Sequence, residues 1–442
     1  MSPLQIILII FFAVQTFSIL LYVPHILWWF EGRRPQERLH ATRQRKFALL
    51  IPARDESKAI APLLDSVKRQ TYPAELIDVR VIVKDPEDPT IRMVRETLPD
   101  AVVQVVPNQK RKAEAMDACM QTILSTGHTP DAYLIVDADC ILSSTYVEEM
   151  NNALESGADV VIPRKLIKNW LTDKKEYRTL YANCSAMTYV GVDDMGNKSK
   201  SKRNYTLALC GQGMLIGARV VENLGGYPFR SLTEDYELAV ECMRRGYKQL
   251  YYEYAEIYSE EPLSRHEYNK RRIRWLKGFA QFNKTYRGEV KEMTFGHGRP
   301  DPGNLHFLYD LFPVYSMLGG AGIGFGACLI LALVRLFAGL GGVGSALLWS
   351  LVPVGFAYLE LFVFAAAQLM VSRSFCRMTR REKTRFLFLF PFVSIEYAWI
   401  FILAFTTTVR ADDWAPVARM SIDSDEVGSE AVREEREREA SA

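Results

Sequence analysis

Residues Ala132 to Cys140 read Ala-Tyr-Leu-Ile-Val-Asp-Ala-Asp-Cys. Tyr133–Val136 is a short, wholly apolar, β-rich run, the pattern of a strand covered on both faces in a parallel sheet. It stops abruptly at Asp137 and Asp139. The carboxyl ends of strands in open α/β sheets are where ligands bind. Two carboxylates one residue apart repel each other unless a cation lies between them or water reaches both. Their hard oxygens suit Mg²⁺ or Mn²⁺, with substrate phosphates completing the shell. Alone, the run reads equally well as an acidic strand-to-loop turn, so the rest of the chain has to decide.

Between Lys46 and Tyr258 strands alternate with helices. Strands are expected at Phe47–Ile51, Asp78–Val83, Val102–Val106, Tyr133–Val136 and Val160–Ile162. Helical spacing of apolar residues runs through Lys58–Arg69 and Lys112–Leu124. Such alternation predicts an α/β domain with a mostly parallel, doubly wound sheet. No Gly-x-Gly-x-x-Gly follows the first strand, which argues against a dinucleotide-dependent dehydrogenase. A chain of 442 residues is too long for one ordinary core. Its net charge of +2 gives no reason to expect a nucleic-acid partner. The seven cysteines form no CxxC and the six histidines no HExxH, as expected for reduced structural thiols without zinc.

Leu4 to Phe30 contains no Asp, Glu, Lys or Arg. A helix of that length crosses a hydrocarbon core of roughly 30 Å with some tilt. Arg33, Arg34, Arg38, Arg43, Arg45 and Lys46 follow, so the positive-inside rule puts this end in the cytoplasm and the amino terminus outside. Three more apolar segments lie at about 311–337, 346–371 and 386–409. The loop between the last two carries Arg373, Arg377, Arg380, Arg381, Lys383 and Arg385 and is assigned to the cytoplasm. Counting onward, the tail after Val409 emerges outside, although Pro391 and Glu396 leave re-entry or an interfacial position open for the last segment. The expected plan is an anchor (1–32), a cytoplasmic catalytic domain (45–262), an amphipathic interface region (263–304), about three transmembrane or re-entrant helices (305–410) and an acidic, disordered tail (411–442). A multi-pass plasma-membrane protein follows. His25, Asp310, Arg335, Glu360 and Glu396 lie in or beside the apolar segments. Glu360 and Glu396, the deeper ones, either line a path for a polar group or serve packing alone.

Acidic residues recur past the predicted strands. Asp55 stands in Ile-Pro-Ala-Arg-Asp-Glu after the first strand, and Asp85 follows Val-Ile-Val-Lys after the second. Asp137 and Asp139 come next. Thr233-Glu234-Asp235 then opens an amphipathic helix with Thr233 as the expected N-cap. Singly each is an ordinary turn or cap. Together they crowd carboxylates onto one sheet edge, which is costly without a cation, so the set reads as a metal–diphosphate pocket.

This order, followed by Arg271-Arg-Ile-Arg-Trp275, resembles the family-2 glycosyltransferases. It is nearest in pattern to the membrane-integrated, processive-type β-glycosyltransferases that make hyaluronan, chitin, cellulose and poly-N-acetylglucosamine. The resemblance covers about residues 45–285 and implies a GT-A fold. It also implies that Asp55 and Asp85 hold the uridine and ribose of a UDP-sugar. Lys112 would lie near the nucleotide, although Arg111 replaces the usual glycine beside it. Asp137 and Asp139 would form the Asp-x-Asp pair, with Asp139 most directly on Mn²⁺ or Mg²⁺. Asp235, next to Glu234, matches the general base. Gly211, Gln212 and Gly213 match the segment at the acceptor terminus. Trp275 matches the floor under the acceptor sugar, while Arg271 and Arg274 approach the diphosphate. Arg271 stands where most polymer synthases carry glutamine. Single-transfer relatives such as ceramide glucosyltransferase accept arginine there, which weakens the case for processivity.

The chemistry follows from elementary requirements. Expelling a nucleoside diphosphate requires positive charge on the leaving group, from a cation and arginines. A carboxylate on the other side of the anomeric carbon takes the acceptor proton. One base with in-line attack inverts the configuration and gives a β-linkage from an α-linked donor. Arg271, Arg274 and Trp275 share a helical face. Lys270, Arg272 and Lys277 are assigned instead to anionic lipid. The expected enzyme adds N-acetylglucosamine or glucose to a growing surface glycan, the alternative being one transfer to a membrane lipid. Four spans offer little material for a channel, so a synthase would need self-association or a partner subunit.

Overall fold

The computed structural model describes residues 1–127, 129–296, 301–310, 313–406 and 420. Eight strands form one mixed sheet: β1 (Phe47–Pro52), β2 (Ile77–Val83), β3 (Val102–Val105), β4 (Ala132–Ile135), β5 (Ile141–Leu142), β6 (Val160–Ile167), β7 (Met214–Gly217) and β8 (Gln249–Ser259). Their order across the sheet is β3-β2-β1-β4-β7-β6-β8-β5.

The period of two explains why the centre is buried on both faces. In β1, Ala48 and Leu50 join one core, while Phe47, Leu49 and Ile51 join the other. In β4, Tyr133 and Ile135 alternate with Ala132 and Leu134 in the same way. Met116, Cys119, Met120 and Ile123 of the Lys112–Ser125 helix cover the first face. Ile60, Leu63, Leu64 and Val67 of the Ile60–Lys68 helix cover the second. Burial of each Leu or Ile contributes about 1.5–3 kcal/mol.

β3, β2, β1 and β4 run parallel, so the expected order from the first acidic motif to the Asp-x-Asp pair lies along one edge. The parallel pattern then breaks. β7 is antiparallel to both β4 and β6, and β5 is antiparallel to β8. β6 runs five residues beyond the predicted Val160–Ile162, with an irregularity between Pro163 and Arg164. Bulges of this kind re-aim side chains beside sites, and here the residues past the break include Arg164 and Lys165.

Among the described residues, three helices are long and apolar enough to cross a membrane, with candidate spans Pro3–Leu20, Gly319–Phe337 and Val343–Ser374. They pack through close approaches. A Cβ on Gly324 would lie 2.8 Å from Phe11 Cδ2 and 3.0 Å from Pro353 Cγ. The Phe11 and Phe356 rings meet edge to face at 6.0 Å. The carboxyl end of the first helix is clamped to the sheet domain. Gly32 O accepts from Lys198 Nζ at 3.1 Å, and Glu31 pairs with Arg203 at 2.8 Å.

The fourth expected span falls partly outside the described residues: the side chains at 397, 398, 401, 402 and 404–406 of the Arg380–Thr406 helix are not described, nor are residues 407–409. Glu382 pairs with Arg178 at 3.0 Å and Glu396 with Arg265 at 3.0 Å, which lays this helix along the catalytic domain. Glu396, expected to line a path or to serve packing, is thus ion-paired with Arg265. Of residues 411–442, Met420 is the one that the structure describes. Met420 is buried and its N–H donates to Glu260 at 3.0 Å, so this residue lies on the catalytic domain's side. The rest of 411–442, like the Asp310 side chain, lies outside the described residues. Both Glu360 oxygens are buried without a hydrogen-bond partner among the described residues. Arg335 donates to Gly341 O at 3.0 Å, closing a helix end.

Candidate active site

The β1 and β2 loops are tied together by a residue that the motif reading passed over. Asp88 accepts from Asp55 N at 3.0 Å and from Thr90 N at 2.8 Å. Its signal was an Asp-Pro-Thr at a helix start. Asp55 is exposed, with φ 56°, a left-handed conformation that aspartate tolerates better than most residues. Asp85 is also exposed and accepts from Glu87 N at 2.9 Å.

The β4 end and the Glu234–Arg245 helix meet over Gly211. Lys112 Nζ pairs with Asp137 and donates to Gly211 O at 2.8 Å. Gly211 N donates to Asp235 Oδ2 at 3.0 Å, and Tyr236 N donates to Asp235 Oδ1 at 2.9 Å. A Cβ on Gly211 would lie 3.3 Å from Glu234 Oε1, 3.7 Å from Lys112 Nζ and 3.8 Å from Asp235 Oδ2. Only hydrogen keeps this junction open. Burial, then the neighbouring Asp235 charge, pushes the Glu234 carboxyl up to about 7. Burial also raises Asp235, against the two backbone donors that favour its anion. Burial disfavours the Lys112 ammonium, but Asp137 and Glu234 outweigh it and hold its pKa well above the usual range.

Thr233 occupies the N-cap position, but its side chain caps no backbone N–H, which corrects the expected cap. It packs instead on the long Arg265–Phe295 helix, where a Cβ on Gly278 would overlap Thr233 Cγ2. That helix, started by a Ser264–Glu267 capping box, carries the Arg-x-x-Arg-Trp motif. Arg274 is exposed and lies within the fields of Glu234, Asp137 and Asp235. Arg271 is engaged by Glu261 at 2.5 Å and by the Glu260 carbonyl at 3.1 Å. Arg272, expected at lipid, is only 2 % exposed. Its guanidinium lies between the Tyr268 and Trp275 rings, at 4.7 and 4.6 Å, and donates to Thr188 at 2.9 Å. Trp275 is thus held on one face, while Gln212 Oε1 is buried without a partner among the described residues.

Asp139 is framed by Lys168, which pattern reading missed, as well as by the expected Arg271. Lys168 Nζ donates to Asp139 O at 2.9 Å and pairs with Glu260 at 3.3 Å, and Asp139 also acts electrostatically on Arg271. Lys165, Lys168 and Glu261 are almost wholly buried. Buried charges of this kind look like surface residues in a sequence. No described group of three His, Cys, Asp or Glu forms a closed metal cage. A pair of hard carboxylates suits an ion that diphosphate oxygens complete.

Parallel strands delivering carboxylates to one edge, opposite a basic helix, define a glycosyltransferase of GT-A-like fold. Residues 44–278 match the model for the glycosyltransferase like family 2, and the chain belongs to that family. The probable glycosyltransferase YdaM of Bacillus subtilis (strain 168) is 21% identical over 397 residues, covering 86% of each chain. The mannosyltransferase PcManGT from Pyrobaculum calidifontis, solved with GDP-Man and Mn²⁺, shares the fold at TM-score 0.55 and 17% identity. That match covers 91% of this chain and 99% of the other.

Proposed function

We propose that this enzyme is a metal-dependent inverting glycosyltransferase. It transfers N-acetylglucosamine or glucose from a UDP-sugar, in β-linkage, to a growing surface glycan at the cytoplasmic face of the plasma membrane. The observation that carries the reading is the Gly211 junction, where the Glu234–Asp235 carboxylates abut the Lys112–Asp137 pair. In this reading the base and the donor's anchor face each other across that junction. Asp235 takes the acceptor proton, and its two backbone hydrogen bonds fix the carboxylate's direction. Arg274 and Lys112 stabilise the departing diphosphate. Asp137 and Asp139 would hold Mn²⁺ or Mg²⁺, which supplies further positive charge when bound. Asp55 and Asp85 hold the nucleoside, while Gln212 and Trp275 receive the acceptor sugar.

A second reading, one transfer to a membrane-lipid acceptor, is favoured by two features. Arg271 stands where most polymer synthases carry glutamine, and the three candidate spans among the described residues, even with the expected fourth, leave little wall for a channel. The test is nucleoside diphosphate release by the detergent-purified full chain across UDP-sugars and GDP-mannose, with Mn²⁺, Mg²⁺ or EDTA. Metal-dependent release with a β-linked product is expected. An α-linked product, or turnover unaffected by EDTA, overturns the proposal. A product ladder separates polymer synthesis from single addition.

A further inference from the structure

The helix that carries the Arg-x-x-Arg-Trp motif buries a cation that the motif leaves unspecified. Arg272 is the first of its two variable positions. Tyr268, Arg272 and Trp275 follow one another at spacings of four and three, so they share a face of the helix. That face is stacked along its length. The Tyr181 ring, from the Leu180–Tyr189 helix, lies 5.5 Å from Tyr268, and the Arg272 guanidinium lies 4.7 Å from Tyr268 and 4.6 Å from Trp275. Thr188 sets the direction of the guanidinium: its hydroxyl donates to the Cys184 carbonyl at 3.0 Å and accepts from Arg272 Nη2 at 2.9 Å. The helix that supplies Thr188 is itself pinned. Its Met187 carbonyl accepts from Gln368 of the Val343–Val371 helix at 2.6 Å, and its Tyr189 hydroxyl donates to Glu261 at 3.3 Å. A guanidinium is flat and weakly hydrated, so it lies against rings in a way that an ammonium does not. Tryptophan is the best partner for such a cation, and the pair is strongest where water is excluded, as it is around Arg272. Trp275 itself stays partly exposed. Gly278, one turn further along, lies against Thr233 directly before Glu234 and Asp235, so the Trp275 side of the helix faces the turn that carries the proposed base.

We infer that Arg272 is a positioning residue for the acceptor: stacked behind Trp275 and aimed by Thr188, it fixes the plane of the indole on which the acceptor sugar rests. The inference rests on the proposed role of Trp275. Transfer requires the acceptor hydroxyl within about 3–3.5 Å of the atom it attacks. A sugar laid on a ring that tilts loses that placement, whereas the donor, held elsewhere, does not.

The test is fluorine NMR of the detergent-purified full chain carrying fluorotryptophan, with the Trp275 line assigned by its loss in W275F. It is joined to transfer kinetics from the UDP-sugar that supports turnover to N,N′-diacetylchitobiose and cellobiose as acceptor probes. R272M, with an unbranched apolar side chain, is expected to shift or broaden the Trp275 line and to lower the acceptor kcat/KM about tenfold, with the donor KM unchanged. R272K keeps the charge without the flat fork and is expected to stay about as weak as R272M. T188V, an isostere that accepts no hydrogen bond, is expected to lose about threefold. A Trp275 line unmoved in R272M overturns the inference, and so does R272K with native kinetics. If R272M does not fold, T188V decides: a moved line with weakened acceptor use supports the role, and native behaviour refutes it. W275A with an unchanged acceptor kcat/KM sinks the acceptor reading of Trp275, and the inference with it. An impaired W275A beside a native-like R272M removes only the role of Arg272.

Discussion

Replacing Asp235 by asparagine separates the two things this side chain does. Structurally, Asp235 accepts one backbone N–H on each oxygen, from Gly211 at 3.0 Å and Tyr236 at 2.9 Å. Asparagine has one side-chain oxygen, so one N–H loses its acceptor, at about 1–3 kcal/mol. For a domain of this size that lowers Tm by about 2–10 °C. Chemically, asparagine takes no proton. Loss of a general base costs about 10²–10⁴ in rate, or about 3–5 kcal/mol of barrier. The two effects are measured apart. Thermal unfolding reports the first, and initial rates of nucleoside diphosphate release, well below the melting transition with saturating Mn²⁺, report the second. The expected result is kcat down at least a hundredfold with donor KM within threefold. A variant whose Tm falls while kcat stays within tenfold of native refutes the assignment. Asp235 would then be only the anchor for Gly211.

Three further outcomes follow from the same geometry. Gly278→Ala drives a methyl group into Thr233, forcing the arginine-bearing helix off the Glu234–Asp235 turn. Overpacking costs about 1–3 kcal/mol, and a shift near 1 Å costs about 10²-fold in kcat. T233S/G278A, which removes the obstructing methyl, should recover most of the rate, and no recovery would point to another cause. Because burial holds the Glu234 and Asp235 carboxyls up, and the Asp235 charge helps to bring Glu234 to about 7, kcat/KM should rise with pH across the range in which this pair loses its protons. Glu234→Gln removes the neighbouring charge and should move the acid limb down by about one pH unit; an unmoved limb contradicts the coupling. His306 stacks on Tyr205 at 5.5 Å, and burial, then the fields of His25, Lys200 and Arg203, bring it down to about 4. Its folded pKa lies below the unfolded value, so the unfolded chain takes the proton first and stability is lost as pH falls from about 6.5 toward 4. Tm should fall across that window in the native chain and less steeply in His306→Gln, as thermal shift in detergent would show.

The parts of this enzyme legible in its sequence are those fixed by short-range periodicity. β1 and β4 announce themselves because a strand buried on both faces must be apolar at nearly every position, and β2 does so through its buried Val81–Val83 end. The Lys112–Ser125 and Glu234–Arg245 helices follow from 3.6-residue spacing. The Asp-x-Asp, Thr-Glu-Asp and Arg-x-x-Arg-Trp segments stood out because charge is unexpected where such elements end. β8 was invisible for the opposite reason. Its Glu253 and Glu256 break the apolar pattern, yet both are buried beneath Arg164, itself just past the β6 irregularity. A charge neutralised by a partner some 90 positions away carries no local mark of its burial.

The same physics explains how the site's framework escaped notice while its reactive groups did not. Reactive carboxylates sit at strand ends, where sequence order reports position. Lys168, and the carboxylates that hold Lys168 and Arg271, are selected by contacts between distant segments, whereas Lys112 was reached only through the family resemblance. Two local signs were nonetheless present: Glu260-Glu261-Pro262 directly before a basic helix, and a Ser-x-x-Glu capping box at Ser264. A proline stop and a cap on that helix fix where its first turns begin. Arg271, two turns further on, then has to return toward the same pair of carboxylates. Helix phase thus sets which arginine is tied down at Glu261 and which, three residues later, is left facing the site.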